Sequence, residues 1–562
     1  MSRNNYYKSS IKLPQNAQDF IDLIIKSMRY RKKIRLEVQR ELAAHFEDEL
    51  RDCTDDKQKE DRAEQLIEQF GDAKLLGILL RRAKKRCRPL WRTVAARTFQ
   101  TIGVFILCII FYAFYISMGR PTVNIDYLQK ATNMVRPLAD ESQNAANLYN
   151  QAIAIYVKPP EIAKDSLQFT DSNEPKDDLL IVISKKNSVD ELTETEFELL
   201  NKWINENSEA IDLYIQASKK PYCWWNRQFD NEKESFFDMV FPELSPIRQI
   251  SRLVLWRSRL NFYQGDIDGA FEDLFTLYRT GGLFKGPRML IEQLVGIAIQ
   301  AMAVHNAFEI IDRQQIGEQM LGRIQNEFQM LVDNGIFHIN FKVEMFYVMD
   351  FIQRAYTDNG RGSGHMAPIG LQQYFTDPTS DSSYFFALGA SLISPNRAKM
   401  TEMVEYLYDS YDKLAQFTPF SRRQMNIDTE LDIDQWPRIK QARYWFFMIM
   451  VPSYNQVLRL SYRIQADSEA LLTVLALQRY KLRYGQYPET LDALVQAKLL
   501  DKIPIDPFSD KAFVYRVIGE DFILYSVGQN FTDDGGQIYR DREGKARLWA
   551  DEGDAVFWPV QK

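Results

Sequence analysis

The feature that most constrains this chain is an apolar run of 21 residues, Thr98–Met118, that contains no charged side chain. A helix of about 20 residues is what the ~30 Å hydrocarbon core of a bilayer requires. Eight Lys and Arg residues lie between positions 81 and 97, and no Asp or Glu occurs between Asp72 and Asp126. By the positive-inside rule, this basic flank stays in the cytoplasm. The run therefore predicts one transmembrane helix over residues 98–118, with the N-terminus inside and the C-terminus outside.

Two other readings of the run are a buried core helix and a cleaved signal peptide. A signal peptide is disfavoured, because nearly a hundred mostly polar residues precede the run and no small-residue cleavage motif follows it.

Net charge changes sign at the same place, from +8 over residues 1–118 to −14 over residues 119–562, within a chain total of −6. The acidic bulk argues against nucleic acid as a partner, since phosphate binding needs concentrated Lys and Arg.

Cysteine usage agrees with this topology. Cys53 and Cys87 precede the predicted span, Cys108 lies within it, and Cys223 is the one cysteine that follows it. An intramolecular disulfide is therefore excluded on the outer side, so stability there must come from buried apolar surface. Cys223 has no histidine near it in the sequence, and we expect it to pack as a small apolar side chain.

Residues 1–90 are predicted to form a small cytoplasmic helical bundle, because apolar residues recur at helical spacing from position 17 onward. Glu41–Leu50, the helical segment Ala63–Phe70 and the pair Gly71-Asp72 that follows it resemble the HAAS domain, a small helical domain that precedes membrane segments in bacterial membrane proteins. The resemblance implies an interaction or signalling role for this part of the chain, without catalysis.

Residues 122–462 are predicted to form a helical extracytoplasmic scaffold, in which paired helices are the most economical arrangement. One β-like run, Leu179–Ser184, interrupts the helical pattern. Leu260–Ala270 and Asn144–Tyr156 resemble tetratricopeptide-type helical hairpins, although no regular 34-residue period is present. The predicted helices are Asn144–Val157, Glu194–Ser218, Pro246–Tyr263, Ile267–Thr280, Arg288–Ile311, Glu318–Asp333 and Lys399–Phe417.

Tryptophans in this scaffold allow two interpretations. Trp224, Trp225 and Trp256 are a candidate platform on which a glycan or peptide would stack, but core packing is the usual role of Trp at helical spacing. The sequence contains no Gly-x-Ser-x-Gly, His-Glu-x-x-His or Cys-x-x-Cys motif, so the common hydrolase and metal signatures are absent. We therefore predict no catalytic residues and expect a protein that is not an enzyme.

Residues 465–536, within the predicted domain 465–562, carry the most specific pattern in the chain. An amphipathic helix over Ala466–Tyr484 ends at Gly485, and a second short helix is predicted over Thr490–Ala497. Two alternating runs, Ala512–Val517 and Phe522–Val527, then predict a β-hairpin. The hairpin is followed by an acidic, glycine-rich loop that contains Asp533 and Asp534.

In this order, the helix ending in Tyr-x-x-Tyr-Pro, the Asp506-Pro507-Phe508 turn, the strands and the Ser526-Val-Gly motif resemble the globular domain of the major pseudopilin of type II secretion. The resemblance implies calcium at the acidic loop, with Asp533, Asp534 and Ser526 as the candidate ligands. A solvated Asp-Gly turn without metal is the alternative. Unlike a pseudopilin, this chain places its apolar helix some 350 residues upstream of the module, so we do not expect it to polymerise.

These observations predict a mainly α protein with four parts: a HAAS-like bundle (1–90), a transmembrane helix (98–118), a helical scaffold (122–462) and a small α+β pseudopilin-like domain (465–562). We expect it in the bacterial inner membrane with its bulk in the periplasm, binding other envelope or secretion proteins. The alternative function is that of a glycan- or peptide-binding receptor, or of an enzyme, with its site in the helical middle.

Overall fold

The computed structural model describes residues 12–86, 90–137, 139–162, 177–184, 186, 188–229, 234–333, 338–375, 381–426, 433–450 and 454–561. The prediction of a mainly helical chain with a small strand-containing C-terminal region is confirmed: the described residues form 23 α-helices and seven short strands. The chain divides into two compact units, Met1–Tyr112 and Ala113–Lys562.

The first unit begins with four amphipathic helices: α1 (Gln15–Ser27), α2 (Lys32–Glu49), α3 (Asp56–Phe70) and α4 (Ala73–Arg86). Their apolar stripes meet in one small core, in which the rings of Phe20, Phe46 and Phe70 pack against one another. Gly71 ends α3 with a φ of 72°, a left-handed conformation that glycine adopts without strain. Residues 1–11 and 87–89 of the predicted bundle, Cys87 and Arg88 among them, lie outside the described residues.

Helix α5 (Leu90–Ser117) contains the apolar run. Its stretch Val94–Ser117 is long enough to cross a membrane, and an 18-residue window within it has a mean hydropathy of 2.2 yet is only 6% buried. Phe99, Phe105 and Phe111 are 75%, 66% and 73% exposed. A second helix, Leu290–Arg313, is also long and apolar enough, but its corresponding window is 67% buried inside the protein.

Six of the seven helices predicted for the scaffold match observed helices to within three residues at each end, whereas several others, Tyr127–Val135, Lys342–Ala355 and Asp381–Ile393 among them, were not predicted. The predicted helix Glu194–Ser218 is divided into two at Asn207. The β-like reading of Leu179–Ser184 is wrong, because Leu179–Ile183 is a short helix whose N-terminus is capped by the Asp178 carboxylate.

The helices of this unit up to residue 450 are α6 (Tyr127–Val135), α7 (Ala146–Ile155), α8 (Leu179–Ile183), α9 (Glu194–Glu206), α10 (Ser208–Ser218), α11 (Leu244–Tyr263), α12 (Ile267–Gly282), α13 (Leu290–Arg313), α14 (Glu318–Asp333), α15 (Lys342–Ala355), α16 (Pro368–Phe375), α17 (Asp381–Ile393), α18 (Arg397–Leu414), α19 (Pro419–Met425), α20 (Arg438–Arg443) and α21 (Trp445–Met450). A two-residue antiparallel pair, β1 (Glu161–Ile162) with β2 (Asp177–Asp178), lies between α7 and α8.

Packing between α12 and α13 forms the centre of the scaffold. The two helices approach so closely at Gly281 that a Cβ there would lie 2.4 Å from the carbonyl oxygen of Gly296. Large side chains such as Phe271, Phe275 and Ile299 are fully buried around this contact.

The C-terminal part begins with the 31-residue helix α22 (Tyr454–Tyr484), followed by α23 (Asp492–Gln496). The pair β3 (Ile505–Asp506) and β4 (Lys511–Ala512) comes next, and then a three-stranded antiparallel sheet of β5 (Val514–Ile518), β6 (Asp521–Ser526) and β7 (Ala555–Trp558). The sequence predicted the hairpin β5–β6 but not β7.

Helix α22 starts before the predicted domain boundary at 462–465, so the boundary falls within one continuous helix. Leu471, Leu475 and Leu477 are buried, and they belong to the same core as the scaffold residues Phe271 and Ile299. The C-terminal part and the helical scaffold are therefore one packed unit, because the face of α22 that the sheet leaves uncovered packs against α13 and α14.

Candidate functional site

The open edge of the C-terminal sheet is the clearest surface for binding another polypeptide. The strand order is β5-β6-β7, so β6 is central, and β7 is buried along its whole length. Among the described residues, β5 pairs only with β6. Val517 and Ile518 of β5 are 44% and 60% exposed. An exposed edge strand with apolar side chains can accept a further strand.

A buried carboxylate fixes the loops behind this sheet. Asp506 is 1% exposed and accepts hydrogen bonds from the Ser526 hydroxyl (2.8 Å), the Phe508 N–H (3.0 Å) and the Ser509 hydroxyl (3.1 Å). Burial raises the pKa of Asp506, and these donors oppose that rise. The two halves of the sequence motif, the Asp-Pro-Phe turn and the Ser-Val-Gly turn, are therefore held together by one side chain.

The three calcium candidates are not brought together around one point. Ser526 is fully buried beside Asp506. Asp533 accepts from the Tyr525 hydroxyl at 2.8 Å and from the Gly535 N–H at 2.9 Å, and both donors lower its pKa. Asp534 accepts from the Asn530 amide at 2.7 Å. The carboxylates that a cation would need as ligands therefore already accept hydrogen bonds from donors of the protein itself.

Asp554 is the carboxylate around which the acidic loop folds. It is 1% exposed and accepts from the backbone N–H groups of Asp534 (3.2 Å) and Gly536 (2.7 Å). Burial raises its pKa, and the charges of Asp533 and Asp534 raise it further. In the part of the chain that the structure describes, no group of three or more His, Cys, Asp or Glu residues is arranged to hold a metal ion.

The candidate tryptophan platform is only partly assembled. Trp224 and Trp225 line one cleft whose cavity volume is about 30 Å³, room for a water molecule or two. Trp224 is buried and donates to the Thr132 carbonyl at 3.2 Å, while the half-buried Trp225 stacks on Phe284 with 6.2 Å between ring centroids. Trp256 is 3% exposed, lies outside this cleft and packs under Arg259. A three-tryptophan stacking surface is therefore not formed.

The same cleft contains a buried ion-pair network that sequence reasoning missed. Arg227 donates to Glu243 at 2.5 Å and to Glu292 at 3.1 Å, and both glutamates are 6% exposed. Glu292 also caps α13 by accepting from the Met289 N–H. Each partner is needed, because a buried charge without its counter-ion is strongly destabilising. The network therefore anchors α13 and is structural.

The C-terminal module is joined to the scaffold by aromatic and polar contacts. Asp467 of α22 accepts from the Trp549 indole at 3.0 Å and contacts His305 of α13 at 3.2 Å. Phe308 of α13 stacks on Phe557 of β7, with ring centroids 6.4 Å apart and an interplanar angle of 10°. Strand β5 lies on the other side of β6 from β7, the strand that carries the stacking contact with α13.

Comparisons of the chain with protein-family models, curated proteins and solved structures find no match. The features that bear on function are those of the described residues. Of these, the sequence indicated the acidic loop and the tryptophans, whereas the carboxylates of Asp506, Asp554 and Glu292 acquire their roles from partners 18 to 65 positions away. For Asp506 alone a local signal was present, namely the Asp-Pro-Phe turn.

Proposed function

We propose that this chain is a single-pass protein of the bacterial inner membrane that binds other envelope proteins through its C-terminal module. The observation that carries the proposal is α5: its apolar surface is exposed along Val94–Ser117, and a basic segment precedes it. Exposed apolar surface of this extent is costly in water and is stable in lipid. The basic flank favours a cytoplasmic N-terminus and a periplasmic bulk.

Topology can be tested by labelling single cysteines in intact cells with a membrane-impermeant maleimide. Lys57→Cys and Thr195→Cys place the thiol at exposed positions before and after α5, in a background where Cys53, Cys87, Cys108 and Cys223 are alanine. We expect labelling at position 195 without lysis, once the outer membrane is permeabilised, and labelling at position 57 only after lysis. Labelling of both positions, or the reverse pattern, would contradict the proposed orientation.

Binding is assigned to an extended segment of another envelope protein that adds to β5. The resemblance of residues 465–562 to the pseudopilin domain and of residues 17–80 to the HAAS domain is part of this proposal, since both implied roles are in protein interaction. The exposed Val517 and Ile518 supply apolar contacts, and the backbone edge supplies hydrogen bonds.

The binding role can be tested with a photo-crosslinking amino acid, benzoylphenylalanine, in place of Ile518 in the full-length protein in its own membrane. Tyr263, which is 53% exposed on the scaffold, is the matched control position. We expect a discrete adduct at position 518 that is absent at 263 and is reduced by Val517→Asp. Equal adducts at the two positions would count against the edge strand.

Tight, Trp225-dependent binding of a cell-wall glycan or peptide to the purified protein would instead favour the receptor alternative.

We also propose that calcium binds at the acidic loop. Asp533 and Asp534 carry the negative charge that a hard cation prefers, but they would have to exchange their present O–H and N–H donors for the ion. At ten times Kd, calcium would stabilise the protein by about 1.4 kcal/mol. We expect calcium to raise the Tm of the wild-type protein and not that of Asp534→Ala. A Tm that does not respond to calcium would end the calcium proposal and leave the scaffold role intact.

A further inference from the structure

Helix α17 has the reverse of the usual amphipathic pattern. The small residues Ala387, Ala390 and Ser391 are buried against the protein. The large apolar residues Phe385, Phe386 and Ile393 point outward and are 70%, 53% and 48% exposed. A helix of a water-exposed surface carries polar residues on its outer face. The outer face of α17 therefore suits an apolar environment.

Elements that neighbour α17 also expose apolar side chains. Phe386 packs edge-on against Trp445 of α21, with 5.9 Å between ring centroids, and the Trp445 indole donates to Ser394 just after α17. Ile449 of α21 is 58% exposed, and Ile439 of the adjoining helix α20 is 78% exposed. We call the set Phe385, Phe386, Ile393, Ile369, Ile439 and Ile449 the α17 patch. Ile369, 42% exposed, belongs to α16, which packs on α17.

The α17 patch is close to the point where α5 ends. Within the second unit, Pro121 forms a β-bridge with Thr357, and Tyr115 in the last turn of α5 packs on His365 with ring centroids 4.8 Å apart. A Cβ on Gly370 of α16 would lie 3.0 Å from the Pro121 ring. The end of α5 therefore contacts α16, and α16 packs on α17.

The loop at residues 357–365, which contacts the end of α5, is held by internal hydrogen bonds. The Asn359 side-chain oxygen Oδ1 accepts from the N–H groups of Arg361 and Ser363, and the Thr357 N–H donates to the His365 backbone carbonyl. A Cβ on Gly364 would lie 1.8 Å from the Thr357 carbonyl oxygen, so only glycine allows this turn. The end of α5 and the α16–α17 region are consequently held in a fixed relation.

We propose that the α17 patch is inserted into the interfacial layer of the same bilayer that α5 crosses. The inference rests on the proposed function, since it requires α5 to be a membrane span. Tyr384–Ile393 is an uncharged stretch of ten residues, too short to cross a bilayer and of the length found in interfacial segments. Arg438 and Arg443, both exposed on α20 beside Ile439, match the negative charge of bacterial phospholipid headgroups.

This contact fixes the ectodomain at two points, the end of α5 and the α17 patch. A protein held at two points has less freedom to tilt away from the bilayer than one attached by a single helix. The β5 edge is then presented to partners in a restricted range of orientations, which lowers the entropy lost on binding.

The test uses the full-length protein in nanodiscs of phosphatidylethanolamine and phosphatidylglycerol, with one nitroxide label per molecule. The labels are placed at native Cys108 in the span, at Phe385→Cys and Ile439→Cys in the α17 patch, and at Ile518→Cys as an exposed control of similar accessibility. The other native cysteines are replaced by alanine. Collision with oxygen reports lipid, and collision with a water-soluble nickel complex reports solvent.

We expect the label at Cys108 to be deep in the hydrocarbon. Labels at positions 385 and 439 should collide with nickel several-fold less often, and with oxygen more often, than the label at 518. A label at 385 that is as accessible to nickel as that at 518, while Cys108 stays deep, would overturn the inference and leave the proposed topology intact. A label at 385 shielded from both reagents would point to a second copy on the patch and would also overturn it. Nickel access to Cys108 would instead refute the membrane span itself.

Discussion

Helices α5 and α13 have similar composition but opposite surroundings. Their apolar stretches are both 24 residues long. The 18-residue apolar windows within them have mean hydropathies of 2.2 and 1.6, yet 6% of the first window and 67% of the second are buried inside the protein. Length and hydropathy therefore do not decide whether an apolar helix is buried inside the protein. The difference lies in the hydrogen-bond partners of the polar side chains on each helix.

The polar side chains make this difference visible. In α5, Thr98, Thr101 and Ser117 donate to carbonyls four residues earlier in the same helix, at 3.0, 2.6 and 2.7 Å. Polar groups in lipid need hydrogen-bond partners within their own helix, and these three hydroxyls have them. In α13, Gln293 donates to the Asn340 carbonyl at 2.7 Å and Gln300 to the Tyr278 carbonyl at 3.3 Å, so its polar groups reach other segments of the chain.

Introducing charge into each helix gives the largest expected contrast. Phe105→Lys together with Ile109→Lys puts two cations near the middle of α5, at about 3 kcal/mol each on the insertion scale. We expect this variant to be released from membranes by alkaline carbonate. The matched control is Ile291→Lys with Ala298→Lys, which adds the same charge at exposed positions of α13 and should leave the protein in the membrane fraction. Retention of both variants would argue that α5 does not hold the protein in the bilayer.

Removing the cation beside α13 tests its role as a core helix. Arg227→Met leaves Glu243 buried without a counter-ion and leaves Glu292 with only Arg288, 3.8 Å away, so we expect a loss of about 3–5 kcal/mol in the free energy of unfolding. Urea unfolding of the detergent-solubilised protein measures this loss. Lys202→Met, which breaks an exposed pair with Glu206, should cost less than about 1 kcal/mol. Similar small losses in both variants would show that the network does not anchor α13.

Glu344 of α15, which accepts from the N-terminus of α13, predicts that the stability of the protein depends on pH. Burial raises the pKa of Glu344 to about 7, although the Leu290 N–H, which donates to it, opposes the rise. Between pH 4.5 and 7 the folded protein keeps this proton and the unfolded chain loses it, so this contribution to stability is complete below pH 4.5 and is lost as the pH rises through 7.

Glu344→Gln has no proton to lose and can still accept from Leu290. We expect it to be more stable than the wild type at pH 8, by about 3 kcal/mol, and close to it at pH 5. Urea midpoints at the two pH values measure this difference, with Glu405→Gln at an exposed position of α18 as the control. A difference between variant and wild type that does not change with pH would contradict the assigned titration.

Two glycine substitutions give the smallest expected effect and compare packing directly. Gly281→Ala places a Cβ against the Gly296 carbonyl, which separates α12 from α13 and costs about 1–3 kcal/mol. Gly103→Ala in α5 meets no atom within 4 Å and should cost nothing. Thermal unfolding of the two variants measures both values. A destabilised Gly103→Ala would reveal a protein partner on α5.

Local patterns were enough for most of the helices. The spacing of apolar residues predicted helices over Ile267–Thr280 and Glu318–Asp333. The structure has helices over Ile267–Gly282 and Glu318–Asp333. The agreement is close because the face of a helix on which a side chain lies depends only on its spacing from residues nearby in the sequence. Leu179–Ser184 was misread because its five apolar residues fit a short strand as well as a helix turn, and the Asp178 cap decides for the helix. The site was less predictable: the acidic loop was recognised, but its organising carboxylate, Asp554, lies 18 residues beyond Gly536.

The sequence by itself determined the apolar character of α5, the charge reversal around it and the order of helices and strands, since each depends on residues close together in the chain. Only the tertiary structure decided that α13 is buried while α5 is exposed. It also decided that the Ser526 hydroxyl donates to Asp506 instead of lying in the acidic loop, and that the phenylalanines of α17 are exposed. Those facts depend on which distant segments meet, because burial and hydrogen-bond partners are properties of the packed chain.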